Sequence, residues 1–211
     1  MTAGLFEGFA VDGLSYTNVI GVGNSTIIRP TVLLATGVGH KYTPAMNVPV
    51  FVNNSTNVTL QSMLIEDGLG LTPGAGGADA IVFWNRASGA ISNCSIVGTY
   101  TIAGSQTGQG LAVDASAPGT ATLAVNNCTF NGFQKNAVDV VDGNYNLAGG
   151  GNITFNMTGG TIVGAGPTTA IAQNGVMLWS RAGGLVGGTI NGVSIGRRFA
   201  NYTPAGTGPR R

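Results

Sequence analysis

The chain has 211 residues, of which 43% are hydrophobic and only 8% charged, and its formal net charge is +1. The basic residues cluster only at the C-terminal tail, so nucleic-acid binding is disfavoured, and no apolar run approaches the roughly 18 residues of a membrane-spanning helix. The 36 glycines lack the strict spacing of collagen, so they indicate a chain that turns often between short strands.

The segment 1–18 contains neither a clear amphipathic helix nor the basic and apolar regions of a signal peptide. We expect it to be an N-terminal segment whose stretch "LFEGF" covers the start of a repetitive domain over 19–196. The tail, 197–211, would cover the other end of that domain with Phe199 and Tyr202. Such caps are expected because the terminal repeats of a solenoid expose apolar interior.

A short motif recurs five times in the middle of the chain, at nearly constant intervals of about thirty residues. Its fourth and sixth positions share one face of a strand, whereas its third position accepts a left-handed backbone and so predicts a bend. The five copies are LQSMLI (60–65), ISNCSI (91–96), VNNCTF (125–130), MTGGTI (157–162) and INGVSI (190–195).

A second set of short apolar segments precedes the first set, one segment per repeat. Three strand segments in about thirty residues, stacked in register, predict an all-β parallel β-solenoid of about five to six coils, in which each coil buries its apolar face against its neighbours. The segments are VFVNN (50–54), IVFWN (81–85), LAVDA (111–115), VDVVD (138–142) and VMLWS (176–180).

The two cysteines, Cys94 and Cys128, occupy the same position of successive motifs. Adjacent strands lie roughly 4.8 Å apart, so a disulfide between them is compatible with the spacing. Stacked free thiols in a dry interior are the favoured alternative.

These repeats resemble the right-handed parallel β-helix superfamily of pectate lyases, and most of all secreted β-helix-repeat proteins of poorly defined function. The resemblance covers 19–203 and depends mainly on "VNNCTFNGFQKNAVDV", "GGTIVGAGPTTAIAQNGVMLW" and "GTINGVSI". It implies an extracellular or cell-surface location and an association with polysaccharide. The acidic and basic motifs of polygalacturonases and alginate epimerases are missing, so the resemblance implies no particular reaction.

The best candidate site is the set of outward side chains of the second strand set, which we call the outer face. Both tryptophans, Trp84 and Trp179, fall in one of its columns, and we expect the face to be exposed. Indole rings stack on sugars, while charged groups bond hydroxyls or uronates. The charged candidates are Arg86, Arg181, Asp114, Asp139 and Asp142.

Asp114 and Asp139 would stand roughly 8 Å apart, within the range known for inverting glycosidases, and Lys135 is a candidate proton-abstracting base. Calcium needs six to eight oxygens, so two carboxylates do not define a metal site, and no cofactor is predicted. The favoured interpretation, however, is that Trp84, Trp179 and their apolar neighbours are covered by a loop, such as 66–79 or 143–151, or by another subunit.

The sequence therefore predicts a secreted or surface β-solenoid that acts as a non-catalytic structural or adhesive module. Its expected partners are polysaccharides or copies of itself, with end-to-end self-assembly favoured by the low charge. The alternative is a lyase or hydrolase of uronate-containing polysaccharide. His40 has no partner visible in the sequence, and the many Asn-X-Ser/Thr sequons reflect the composition.

Overall fold

The computed structural model describes residues 1–39, 45–66, 79–98, 108–143, 149–164 and 173–196. Within these ranges the chain forms nineteen strands and no helix. The strands are β1 Gly4–Phe6, β2 Phe9–Asp12, β3 Asn18–Ile28, β4 Leu34–Gly39, β5 Ala45–Val48, β6 Val50–Asn53, β7 Val58–Glu66, β8 Ile81–Trp84, β9 Gly89–Ser92, β10 Ser95–Val97, β11 Leu111–Asp114, β12 Thr120–Asn126, β13 Thr129–Asn131, β14 Asn136–Val141, β15 Asn152–Thr158, β16 Thr161–Val163, β17 Asn174–Trp179, β18 Val186–Asn191 and β19 Ser194–Ile195.

Almost all of these strands belong to two parallel sheets. The smaller sheet has six strands in the order β17-β14-β11-β8-β6-β2, and the larger has eleven, with β7 joining its two halves. Each strand pairs with its counterpart one repeat away, so sequential repeats stack side by side. The predicted all-β class and parallel pairing are confirmed, and this pairing is compatible with a β-solenoid.

The predicted columns are confirmed residue by residue. Phe130 lies between Ile96 and Ile162, and the same column continues to Ile65 on one side and Ile195 on the other. In the six-stranded sheet, the segments from Val50 to Val176 pair in the predicted register. The stacked side chains form one apolar core that runs through the repeats. The apolar pattern alone fixed this register, because a one-residue slip would turn every core residue outward.

The predicted bend is present at the third position of all five motifs. Its residues have left-handed φ values between 51° and 64°, which glycine and asparagine tolerate best. They are Ser62, Asn93, Asn127, Gly159 and Gly192. The bend lies between two strands in four of the repeats and inside β7 in the first, and the apolar residues on both sides of it point to the same core.

Cys94 and Cys128 are free thiols in this core. Their exposed fractions are 2% and 0%, and each sulfur lies near backbone carbonyls of its own and the preceding repeat. The hydrogen bond with Cys94, together with burial, raises the pKa of the Cys128 thiol above its ordinary value. Both side chains therefore pack as small residues of the apolar core.

The predicted N-terminal segment contributes strands to both sheets. β1 pairs with β3 in the larger sheet, and β2 pairs with β6 in the smaller one, so Phe9 and Val11 extend the columns of Val50 and Val52. No helix in the described ranges is long and apolar enough to cross a membrane. The predicted C-terminal cap, 197–211, and His40 lie outside the described residues.

One element departs from the repeat. Between β3 and β6 the chain forms an antiparallel hairpin of β4 and β5, in which Leu34 pairs with Val48. The sequence analysis assigned no element to this stretch. The apolar run "VLLA" (32–35), followed by Thr36 and Gly37, is the signal that could have indicated it.

Candidate functional site

The outer face forms on the six-stranded sheet, as predicted, but its middle strands are not exposed. The pairing places Trp84 beside Asp114, Ala112 beside Asp139 and Val141 beside Trp179. Trp84 is only 7% exposed, and Asp114 and Asp139 are completely buried. The expectation of an open, sugar-facing surface is therefore wrong for these residues.

A second apolar cluster covers the part of the outer face around Trp84. Leu34, in the first strand of the β4–β5 hairpin, packs against this cluster, and Val48, in the second, belongs to it. The hairpin thus contributes to the cover of the indole, in agreement with the prediction that Trp84 is covered. Most of the two loops named from the sequence, residues 67–78 and 144–148, lies outside the described residues. The cluster consists of Val48, Phe51, Val82, Trp84 and Ala112.

Polar contacts tie the start of this hairpin to the sheets. The Arg29 guanidinium forms a two-point ion pair with the Glu66 carboxylate, in which the Nη2–Oε1 distance is 3.0 Å. The carboxylate of Glu7 accepts hydrogen bonds from the hydroxyl and the backbone N–H of Thr31, both at 2.7 Å, and these bonds lower the pKa of Glu7. Because Arg29 and Thr31 flank the start of the hairpin, these bonds fix where it leaves the repeat.

The two candidate catalytic carboxylates have protein partners in place of solvent. The Ser116 hydroxyl donates to Asp114 Oδ1, and the Asn136 side-chain amide donates to Asp139 Oδ2 at 2.8 Å. A general acid or a nucleophile must reach the reacting atom of its substrate. Carboxylates with no exposed surface do not meet that condition in this conformation.

Asp139 belongs to a buried polar network that the sequence analysis missed. The Asp79 carboxylate accepts from the backbone N–H of Gln109 at 2.8 Å, and the Gln109 side-chain carbonyl accepts from the backbone N–H of Asn136 at 3.0 Å. Asn174 donates to Asn136 from the next strand at 2.7 Å. These bonds satisfy polar groups where strands begin, which is a structural task. The amides recur in register, and that recurrence was the available signal.

Asp142 accepts hydrogen bonds from the backbone of the following repeat. Its two oxygens accept hydrogen bonds from the N–H groups of Arg181, Ala182 and Gly184, at 2.6, 2.9 and 2.8 Å. The side chain is fully buried. Charge-assisted bonds of this kind are stronger than bonds between neutral groups, so Asp142 fixes the turn between β17 and β18. That role leaves no exposed carboxylate for a ligand.

The remaining candidates lie nearer the surface but do not converge. The Arg181 guanidinium lies 4.0 Å from the centre of the Trp179 ring, a cation–π contact that occupies one face of this partly exposed indole. Trp84 is three strands away, roughly 14 Å by strand spacing. Arg86 is exposed, and its aliphatic part lies over Gly119. The two tryptophans therefore do not form a joint platform.

Lys135 lies just before β14 and is partly buried. Burial lowers the pKa of its ammonium group, the direction that favours a proton-abstracting base. Its backbone N–H donates to the carbonyl of Gly108 at 3.1 Å, and its carbonyl accepts from Asn174 at 2.8 Å. The backbone of Lys135 is thus fixed between two neighbouring repeats.

In the part of the chain that the structure describes, no three His, Cys, Asp or Glu side chains are grouped so as to hold a metal ion. No family model, no curated protein and no solved structure matches this chain. The likeness to pectate-lyase-type proteins therefore depends on the repeat pattern alone.

Proposed function

We propose that this chain is a right-handed parallel β-helix of six coils, related to the pectate-lyase-like superfamily, and that it acts as a non-catalytic structural module outside the cell. Its task is to hold a rigid, stacked surface and to contact glycans or copies of itself. The observation that supports this proposal most directly is the burial of Asp114 and Asp139, the carboxylate pair that the sequence analysis proposed for catalysis.

Three further features support a structural role. The hairpin covers Trp84, Asp142 serves the backbone of the next repeat, and the other acidic groups of the outer face bond neighbouring side chains. Buried polar groups of a scaffold are mostly hydrogen-bonded to the protein itself. The paired strands of the smaller sheet and the shared core give the module its rigidity.

The proposal is tested by incubating the protein with a panel of uronate-containing polysaccharides, with and without calcium. Ultraviolet absorbance detects the unsaturated products of a lyase, and a reducing-end assay detects hydrolysis. We expect both signals to stay at the level of the buffer control. Turnover that disappears in Asp139→Asn but persists in Asp12→Asn, an exposed carboxylate in the terminal strand β2, would overturn the proposal.

Only one observation favours the second candidate, a polysaccharide lyase. Lys135 has a lowered pKa and precedes the strand that carries Asp139. A lyase needs such a base to remove the proton beside the uronate carboxyl group. In that case Lys135→Met would abolish the unsaturated products while leaving the fold, measured by circular dichroism, unchanged.

A further inference from the structure

Among the described residues, no strand covers the apolar core at the repeat that contains β17, β18 and β19, which we call the last edge. Its inward residues continue columns that are fully buried one repeat earlier, at Val140, Met157 and Ile162. In the last repeat the corresponding exposed fractions are 41%, 45% and 52%, at Leu178, Ile190 and Ile195. These side chains point into the core but are exposed along the stacking direction, because no further strand covers them among the described residues.

The opposite end of the stack, formed by β1, β2 and the start of β3, is the first end. Phe6 and Val19 begin the columns that end at Ile195 and Ile190, and both are only partly buried. Phe9, also partly buried, begins the column that ends at Val176, whereas Val11, at the start of the Leu178 column, is buried. Leu14 and Tyr16 lie in the turn beside them and are 52% and 79% exposed. Both ends therefore present apolar surface, and they present the two termini of the same columns.

Exposed large apolar residues concentrate in these two terminal repeats. Of the eleven that are exposed in the described ranges, only Val32, in the segment leading to the hairpin, lies outside them. The others are Met1, Leu5, Leu14, Tyr16, Ile20, Val22, Leu178, Leu185, Ile190 and Ile195. The described sides of the intermediate repeats carry none, which is the pattern of a surface that associates through its ends.

Charge favours contact between unlike ends. The segment 1–18 contains Glu7 and Asp12 and no lysine or arginine, whereas the described residues of the last repeat, 173–196, contain Arg181 and no acid. A contact between two last edges would bring like charges together, and so would a contact between two first ends. A contact between a last edge and a first end joins opposite charges.

We propose that the last edge of one molecule docks on the first end of a second copy of this chain, so that molecules stack in one direction. This inference rests on the proposed structural role, and it names the partner as the protein itself. A head-to-tail contact leaves one end of each kind free, so assembly is open-ended and grows with concentration.

Two charge insertions and their mixture test the arrangement. Ile195→Lys blocks the last edge, and Phe9→Lys blocks the first end, while Val32→Lys, 76% exposed near the hairpin, is the matched control. By analytical ultracentrifugation we expect wild type and Val32→Lys to grow beyond the 21.2 kDa monomer as concentration rises. Each blocked variant alone should remain a monomer, and an equimolar mixture should form a one-to-one heterodimer of twice that mass and nothing larger.

Any of three results would overturn the inference. The first is a wild type that stays monomeric, as it would if residues 197–211 occupied the last edge. The second is a Phe9→Lys variant that still dimerises alone, which would indicate a two-fold contact. The third is a mixture that stays monomeric. Circular dichroism and thermal melting verify that each variant is folded. Leu185→Lys and Leu14→Lys, which are 74% and 52% exposed, replace any variant that is not.

The assembly assay contains no polysaccharide, so its failure is separate from failure of the proposed function. If the protein is monomeric and shows no turnover, the proposed contact with a second copy is wrong and the structural role stands. If the protein assembles and shows turnover that depends on Asp139, only the proposed non-catalytic role is wrong.

Discussion

Left-handed backbone at equivalent positions sets where each repeat turns. Asparagine or glycine occupies four of the five bends in which the structure finds φ near 50–65°, and serine occupies the fifth. Asn127, with φ of 51°, also lies against its counterpart Gly159, because a Cβ at Gly159 would come within 2.3 Å of the Asn127 side-chain oxygen. Residue type at the bend is thus constrained by backbone conformation and by the neighbouring repeat.

Replacing Asn127 by valine should lower the free energy of unfolding by about 1–2 kcal/mol, because a β-branched residue is strained in left-handed backbone. Asn127→Gly should cost less, since glycine adopts this conformation freely. Denaturant unfolding measures both. Asn131→Val, at an exposed strand position nearby, is the control. Equal losses for the two valine variants would contradict a conformational origin.

At the scale of elements, the β4–β5 hairpin decides what the outer face can do. The hairpin turns a column of apolar and aromatic side chains from a potential binding surface into a second small core. The Arg29–Glu66 ion pair and the Glu7–Thr31 bonds position it at the start.

Tryptophan fluorescence can test whether the hairpin covers Trp84, because the chain contains only two tryptophans. In a Trp179→Phe background the emission reports Trp84 alone. Leu34→Ala should shift that emission to the red and increase quenching by acrylamide, since Leu34 packs against the cluster that contains Trp84. Val32→Ala, at an exposed position, should change neither. An unchanged Leu34→Ala spectrum would show that the hairpin does not shield the indole.

At the scale of the whole molecule, the core is continuous but its two ends differ from its middle. Phe130 is completely buried between neighbours in the preceding and following repeats. Ile195, in the same column, has a paired strand on one side only among the described residues and is 52% exposed. In a stack of repeats, stability comes from such nearest-neighbour contacts, so interior repeats should contribute more than terminal ones.

Phe130→Ala should therefore cost about 3–5 kcal/mol of unfolding free energy, the usual loss for a buried aromatic residue. Ile195→Ala should cost clearly less than the roughly 2–5 kcal/mol of a fully buried isoleucine. Denaturant unfolding at low protein concentration, where association is minimal, measures both. A loss at Ile195 as large as that at Phe130 would mean that the last edge is covered in solution.

Most of the repeat was readable from the sequence, whereas little of the candidate site was. The columns through Ile96 and Phe130 and the bend at Asn127 were predicted because strand periodicity and left-handed backbone are local properties. The burial of Asp114 and Trp84 was not, because it depends on side chains distant in the chain. The recurring amides at Asn136 and Asn174 could have indicated the polar network, but not its partners.

The sequence by itself determined the all-β class, the parallel stacking, the register and the inward residues. The reason is that every repeat contains the same short-range apolar pattern, and a shift of one residue in the strand register would expose the core. Only the tertiary structure decided that the outer face is closed, that Asp142 serves a backbone turn, and that the last edge is open among the described residues. Exposure is a property of what packs above a residue, and neither periodicity nor composition specifies the path of an inserted hairpin or the place where the stack of strands stops.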